Sequence, residues 1–340
     1  MKAKGKRHYN IPVFIPQKAC PHQCIYCNQR YISGQNNAPS LQEVKQTIEL
    51  YLSTAEKGSL IQVAFFGGTF TGLDIDSQIG YLQAVKPYIE AGKIQSVRLS
   101  TRPDYINTQI LDLLKQYNVT DIELGAQSLD DRVLQVSERG HTREDIIKAS
   151  NMIKSYGFNL GLQMMIGLPE DTLDKSIATA RTIVSLGASS TRIYPTLVIG
   201  RTPLERLYRQ GIYEPLTIDD AVIWSKEIYK IFTAADITVL RVGLHPSESL
   251  ISGGGYIAGP FHVSFFELVL TALWKERFED FLRSRDLAIR DIKTITVNPK
   301  DVNYAVGYNS SNLRWLKQAN PNIKIIQNSS VAPDNFIIWQ

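Results

Sequence analysis

The sequence predicts an α/β protein: a partial barrel of six βα units followed by a small α/β appendage. Two observations predict it. Short apolar, strand-like runs alternate with amphipathic helical segments from residue 11 to about residue 245, which is the pattern of βαβ units and a parallel sheet. The chain also has 340 residues, enough for one large barrel and a smaller unit. With six repeats rather than eight, the barrel is expected to be TIM-like but open on one side. Its working groups are then expected at the C-terminal ends of the strands.

Taken in order, the apolar runs fall at 11–15, 60–66, 96–100, 121–126, 160–166 and 190–195. Amphipathic helical patterns lie between them at 41–52, 77–89, 109–117, 143–156 and 174–186. The run Gly253-Gly-Gly-Tyr-Ile-Ala-Gly-Pro260 then punctuates the chain. A charged helical run at 265–285 follows, then a strand at 292–297, a helix at 311–319, and strands at 323–327 and 336–339. The expected organisation is a basic tail at 1–10, the barrel at 11–260 and the appendage at 261–340.

The composition is that of an ordinary globular protein, 44% hydrophobic and 21% charged. No apolar run is long enough to span a membrane, and the N-terminus lacks the apolar segment of a signal peptide. A cytoplasmic location is expected. The net charge of +4 permits an RNA partner without arguing for one, and the basic start (Lys2, Lys4, Lys6, Arg7) reads as a solvated tail.

All three cysteines of the chain stand in one loop behind the first strand: Cys20, Cys24 and Cys27, spaced Cys-x3-Cys-x2-Cys. Clustered cysteines in a reducing compartment point to metal rather than disulfides. Structural zinc wants four ligands. His22 could be offered as the fourth, but it lies inside the loop, badly placed to complete a tetrahedron. Three thiolates suit a 4Fe–4S cluster with one iron left open to a small molecule.

Further candidates sit at successive strand ends. Phe65-Phe-Gly-Gly-Thr-Phe70 places Gly67 and Gly68 where a backbone can approach a ligand closely, with the Thr69 hydroxyl beside them. Leu99-Ser-Thr-Arg-Pro-Asp104 offers Arg102 as a clamp for a carboxylate or phosphate, or as the partner of Asp104 in shaping the turn. Asp121-Ile-Glu-Leu-Gly-Ala-Gln-Ser128 puts Glu123 and Gln127 on one face of a strand. Polar groups on an interior face need partners, either a ligand or a buried network. Arg139-Gly-His-Thr142 carries His141, at the site edge or structural. Gln163-Met-Met-Ile-Gly-Leu-Pro169 offers Gln163 as a polar contact and Met164 and Met165 as apolar lining. Arg192 and Tyr194 point the same way from the sixth strand, toward a candidate anion site.

The cysteine loop resembles that of the radical S-adenosylmethionine (SAM) superfamily. The ordered set Cys-x3-Cys-x2-Cys, Gly-Gly-Thr-Phe-Thr, Thr-Arg-Pro-Asp, Glu-Leu-Gly-Ala-Gln-Ser, Arg-Gly-His-Thr, Met-Met-x-Gly-Leu-Pro and Tyr-Pro-Thr-Leu-Val-Ile, over roughly 10–245, resembles the radical SAM domain of the Elongator catalytic subunit. Relatives of oxygen-independent coproporphyrinogen oxidase share the cluster loop but match less well in the later strands.

The resemblance implies a 4Fe–4S cluster held by Cys20, Cys24 and Cys27, with SAM at its open iron. The reduced cluster would cleave SAM to a 5′-deoxyadenosyl radical, and the implied task is modification of a tRNA uridine. On this resemblance Tyr26 lies against the adenine, and Gly67, Gly68 and Thr69 hold the methionyl group. Arg102, Glu123, Gln127, Gln163, Met165 and Tyr194 complete the cofactor pocket, and Arg192 orients an anionic group. An electron donor of flavodoxin or ferredoxin type is implied, with tRNA as a candidate partner.

Two features depart from that family. Only about 80 residues follow Pro260, too few for its acetyltransferase-type domain. His245, Glu248 and His262 stand where different sequence is expected, and shape either a pocket or turns. With no cysteine to spare, methylthiolation and chemistry needing a methyl-carrying Cys pair are unlike this chain. Two rival functions remain: a radical SAM enzyme for a small molecule such as an acyl thioester or a porphyrin-like substrate, and a non-catalytic Fe–S or SAM-binding module. In the appendage, Trp315 with Arg314 and Lys317 could touch RNA, and Gly307-Tyr-Asn-Ser310 faintly resembles a backbone-clamping loop. The preferred reading is that Trp315 anchors a small core.

Overall fold

A computed structural model describes residues 8–16, 20, 24–29, 31, 37–244 and 255–339. The basic residues Lys2, Lys4, Lys6 and Arg7, and also His22, His245 and Glu248, lie outside the described residues.

The main sheet is parallel throughout, and its spatial order follows the chain. It begins with β1 (His8–Ile15), β2 (Leu60–Gly67), β3 (Ser96–Thr101), β4 (Val119–Gln127), β5 (Asn159–Ile166) and β6 (Ser190–Pro195). The short β7 (Val198–Ile199) leaves the sheet, and β8 (Thr238–Val242) rejoins it as a seventh strand beside β6. The expectation of six strands is thus one short. β8 alternates exposed and half-buried residues instead of forming a continuous apolar run, so it does not stand out in the sequence. The edges β1 and β8 do not pair with each other, and the curled sheet is an open half-barrel. The first strand also starts at His8, inside the segment expected to be tail.

Period-two alternation sorts the strand side chains. Val63, Phe65, Val97, Leu99, Ile122, Leu124, Leu160, Leu162 and Ile193 are buried in the main core, toward the helices α1 (Leu41–Thr54), α2 (Ile75–Glu90), α3 (Thr108–Gln116), α4 (Asp131–Val136), α5 (Arg143–Ser155), α6 (Leu173–Ser185), α7 (Pro203–Arg209) and α8 (Ile218–Ala234). The intervening Gln62, Arg98, Glu123, Gln163 and Arg192 face the lumen. Each of the eight helices starts at a Ser, Thr, Asp or Asn whose side chain accepts a backbone N–H of the first turn. Such a cap contributes about 1 kcal/mol. It also fixes where each helix begins, and therefore the length of the strand-to-helix loop that carries the site.

β7 pairs antiparallel with β9 (Tyr256–Ala258). Beyond it, α9 (Phe265–Arg285), β10 (Thr294–Val297), α10 (Val302–Val306), α11 (Ser311–Ala319), β11 (Lys324–Gln327) and β12 (Phe336–Trp339) build a small mixed sheet in the order β11-β10-β12. One helix serves two cores: Phe265 and Val269 of α9 pack into the barrel core, whereas Trp274, Phe278 and Leu282 pack into the second core with Ile295, Val297 and Leu316. Trp315 packs against that second core, with Lys275 over its ring. His262 packs edge-on against Tyr308, away from the cysteine loop's own packing cluster.

Candidate active site

Strand β1 delivers the chain to the cysteine loop. Cys24, Ile25 and Tyr26 pack with Val133, Leu168, Val198, Leu204 and Tyr213, and Met165 and Cys27 lie at the margin of that cluster. Two backbone bonds fasten the loop to its neighbours. Ile25 N–H donates to Ser137 O (3.3 Å), and Leu204 N–H donates to Ile25 O (2.8 Å). Cys20, Cys24 and Cys27 are free thiols. Burial first, then the neighbouring Cys24 and Cys20, push the Cys27 thiol up to about 12. A metal must therefore displace the Cys27 proton to bind there. Among the described residues, no three His, Cys, Asp or Glu side chains stand at ligand distances around one point.

Gly67 and Gly68 end β2 beside β1. Gly67 has φ +108°, and a Cβ there would sit 2.9 Å from Ile15 O. Gly68 N–H donates to that same carbonyl (2.8 Å). The Gly67 carbonyl accepts from the Gln29 side chain. The glycine turn is therefore held in place by β1 and by the cysteine loop. Thr69 is buried, with its hydroxyl 3.3 Å from Cys20 Sγ. Replacing Gly67 with alanine is expected to cost about 1–3 kcal/mol through left-handed strain and the backbone clash. A thermal melt of the metal-free protein reads this, and an unchanged melt would contradict it.

At the ends of β3 and β4 several buried polar atoms have no hydrogen-bond partner among the described residues: Arg102 Nη1, Gln127 Oε1, Arg139 Nε and His141 Nδ1. Buried polar groups in folded proteins are nearly always paired, so this concentration marks a place prepared for a ligand or water. The rest of Arg102 is committed: its Nε and Nη2 donate to both oxygens of Asp104 at 2.9 Å. Of the two sequence readings of Arg102, the turn-shaping pair is thus present, and one nitrogen remains. Gln127 sits at φ +66° beside a register shift between β4 and β5. This irregularity breaks the expected alternation with Glu123.

His141 is buried, with Nε2 3.4 Å from Ala126 O and Nδ1 3.8 Å from Asp104 Oδ1. Burial first, then Arg139 and Arg102, pull its pKa down to about 3. The folded state therefore refuses a proton that the unfolded chain accepts below about 6.5. Stability is expected to fall as pH drops from about 6.5 toward 3, by up to about 1.4 kcal/mol per pH unit from this residue. His141→Gln should flatten that slope in denaturant titrations between pH 4 and 7, and an identical slope would contradict the assignment.

The lumen below is a single ion-pair network. Glu123 Oε1 accepts from Arg98 Nη1 (2.8 Å), and Oε2 accepts from Arg192 Nε (2.7 Å) and Gln163 Nε2 (3.0 Å). Arg98 also donates to Asp121 and Gln62. Burial alone would raise the Glu123 pKa; Arg192 and Arg98 overcome it and hold the carboxyl below its usual range. Arg192 lies over the Phe66 ring and against Tyr194. These placements correct three expectations. Arg192 does not present a free fork to an anion, because its guanidinium is committed to Glu123. Glu123 and Gln163 are committed within the protein rather than open to a cofactor. Met165 packs against the cysteine-loop cluster, but Met164 faces the helix-side core rather than lining the site.

Arg139 is the residue that sequence reasoning passed over. Its Nη1 donates to Cys24 Sγ (3.1 Å), and its Nη2 donates to Gly125 O (2.6 Å). Arg98, Asp121 and Gln62 were missed as well. The available signal was a polar stripe on otherwise apolar strands, such as Ser96, Arg98 and Ser100 alternating with Val97 and Leu99.

The profile described as "Radical SAM superfamily" matches residues 14–183, and one described as "Radical_SAM C-terminal domain" matches 188–275. The tRNA uridine(34) acetyltransferase of Dehalococcoides mccartyi is 24% identical over 239 residues, covering 60% of this chain and 52% of that protein. Elongator complex protein 3 of Bos taurus is 25% identical over 346 residues, covering 87% of this chain and 60% of that one. The chain thus spans about half the length of the first of these relatives. Among solved structures, archaeal Methanocaldococcus infernus Elp3 superposes with a TM-score of 0.61 at 20% identity, covering 84% of this chain and 65% of that one. That likeness concerns the fold.

Proposed function

The chain belongs to the radical SAM superfamily, whose members use a 4Fe–4S cluster and SAM, and on that premise we propose that it performs the radical step in modifying a uridine of tRNA. The residues at the barrel mouth fit both groups. Three thiols in one loop match the ligand count of a cluster with an open iron, and the unpartnered polar atoms around Arg102, Gln127 and His141 fit a polar small molecule beside it. This pairing of a thiol loop with unpartnered polar atoms is the observation that carries the reading. When bound, the cluster supplies the electron that splits SAM into methionine and a 5′-deoxyadenosyl fragment able to take hydrogen from a substrate carbon.

The protein's own contribution is binding, orientation and exclusion of water. Cys20, Cys24 and Cys27 would ligate. The Gly67–Gly68 turn, pinned by Ile15 O, and the Thr69 hydroxyl would receive the methionyl ammonium. Tyr26 and Met165 would line the adenosine and keep water out. Arg102 Nη1 and Gln127 Oε1 would pair with polar groups of SAM. The Arg98–Glu123–Arg192 network would serve as a floor, fixing strand register beneath the site. The electron would come from a flavodoxin- or ferredoxin-type donor. No helix among the described residues is long and apolar enough to cross a membrane.

The uridine reading is supported by the names of relatives at modest identity, tRNA uridine(34) acetyltransferase and Elongator complex protein 3. The test is anaerobic release of 5′-deoxyadenosine from the reduced, reconstituted protein with and without total tRNA. A clear tRNA-dependent rise, lost after ribonuclease treatment, is expected. Release that is indifferent to tRNA would overturn the tRNA assignment and favour a small-molecule substrate.

A further inference from the structure

Arg98, Arg102 and Arg192 each face a carboxylate at 2.7–2.9 Å. Arg139 is equally buried, yet among the described residues no carboxylate pairs with it. What its guanidinium meets instead is Cys24 Sγ, at 3.1 Å, and Gly125 O, at 2.6 Å. A buried guanidinium cannot shed its proton, and an unpaired buried charge is costly. A negatively charged group bound at the thiol loop would offset the Arg139 charge.

Its geometry is set by three features. Gly125 leaves the space: a Cβ there would lie 2.8 Å from Arg139 Nη2. Glu138 and Gly140, both at positive φ, turn the backbone on either side of it, and Arg139 N–H donates to Leu134 O at 3.0 Å. The bond from Ile25 to Ser137 ties the cysteine loop to the same turn.

We propose that Arg139 is a positioning residue for the iron–sulfur cluster. Held between Gly125 O and Cys24 Sγ, its fixed positive charge stabilises the reduced cluster and raises its reduction potential. The inference rests on the radical SAM reading and adds a named determinant of how readily the cluster takes its electron. Potentials of such clusters follow local charge and hydrogen bonds to the sulfurs. Groups around the ligands commonly tune a metal site without touching the metal. Reduction adds negative charge beside the guanidinium, so a cation there favours the reduced state and its removal disfavours it.

The experiment compares wild type, Arg139→Gln, Arg139→Lys and Gly125→Ala, all full-length and anaerobically reconstituted. Iron and sulfide are measured, followed by an EPR-monitored redox titration without SAM. Arg139→Gln is expected to keep its cluster and lose at least tenfold in the reduction equilibrium, about 59 mV for a one-electron couple. Arg139→Lys, which keeps the charge but not the fork, should fall between the two. Gly125→Ala leaves every ligand in place but displaces the guanidinium, so it should shift in the same direction as Arg139→Gln.

A full cluster in Arg139→Gln with an unchanged potential would overturn the proposal. If Arg139→Gln cannot hold a cluster, Gly125→Ala decides: a lowered potential supports the proposal and an unmoved one overturns it. A wild-type chain that takes up no iron–sulfur cluster would instead overturn the radical SAM reading itself, and this inference with it.

Discussion

Replacing Cys24 with serine is expected to abolish SAM cleavage and to empty the iron–sulfur site, while the barrel stays folded. Cys24 is the best-fixed thiol of the three: it is buried, it accepts the Arg139 bond, and it directly precedes Ile25, which makes both backbone bonds that fasten the loop. Serine keeps its size but not its affinity for iron. Changes in the surroundings of a metal site alone commonly cost about 10–100-fold in activity or affinity, so losing a ligand should exceed that range and bring 5′-deoxyadenosine release to background. The barrel core does not depend on the thiol, because Cys24 belongs to the smaller cluster at the mouth. Iron content, release of 5′-deoxyadenosine and a thermal melt read the three parts separately. Full iron content in the variant would remove Cys24 from the ligand set.

The second large effect concerns stability. Glu123→Ala is expected to lower stability by roughly 3–5 kcal/mol, because it leaves Arg192 charged and without a carboxylate in the lumen and strips Arg98 of one of its two carboxylates. For a domain of this size that corresponds to a drop in melting temperature on the order of 10 °C. Glu123→Gln, which still accepts a bond, should lose less.

The effect has a definite pH dependence. The Glu123 carboxyl is held below its usual range by Arg192 and Arg98. Its stabilisation is therefore present above the unfolded value, about 4.3, and is lost as pH falls through the lower folded value. The wild-type advantage over Glu123→Ala should accordingly shrink in acid. Equal melting temperatures at neutral pH would mean that the ion-pair network contributes nothing to stability.

Much of the fold was legible because its signals are local. Each of the first six strands is an apolar run, and the helices between them carry an apolar face and a Ser, Thr, Asp or Asn at the start. The seventh strand was not legible: Thr238 and Leu240 are exposed and Arg241 half-buried on the sheet edge, so β8 lacks the burial on both faces that gives the others their signature. β7 and β9 were also beyond reach, since two residues of Val198–Ile199 pair with a segment some 58 positions later and no local pattern encodes such a contact.

The site divides in the same way. The cysteine spacing and the Gly67–Gly68 turn are short-range motifs and could be read directly. Which side chains pair across the lumen depends on strand register, which alternation does not supply. Sequence therefore showed that Glu123 and Arg192 face inward, but not that they face each other. The register shift at Gly125 and Gln127 re-aims Gln127 for a related reason: it is a property of how β4 meets β5. Arg139 stood in a visible motif, yet its partner is Cys24, 115 positions earlier, and only the folded chain brings them together.

We propose that the three-thiol loop holds a 4Fe–4S cluster whose open iron takes SAM. The most direct measurement is the EPR spectrum of the anaerobically reconstituted, reduced wild-type protein before and after addition of SAM, alongside iron and sulfide content. The expected result is about four irons and four sulfides per chain, with a spectrum that changes when SAM is added. A full cluster whose spectrum ignores SAM, or zinc in place of iron, would contradict it.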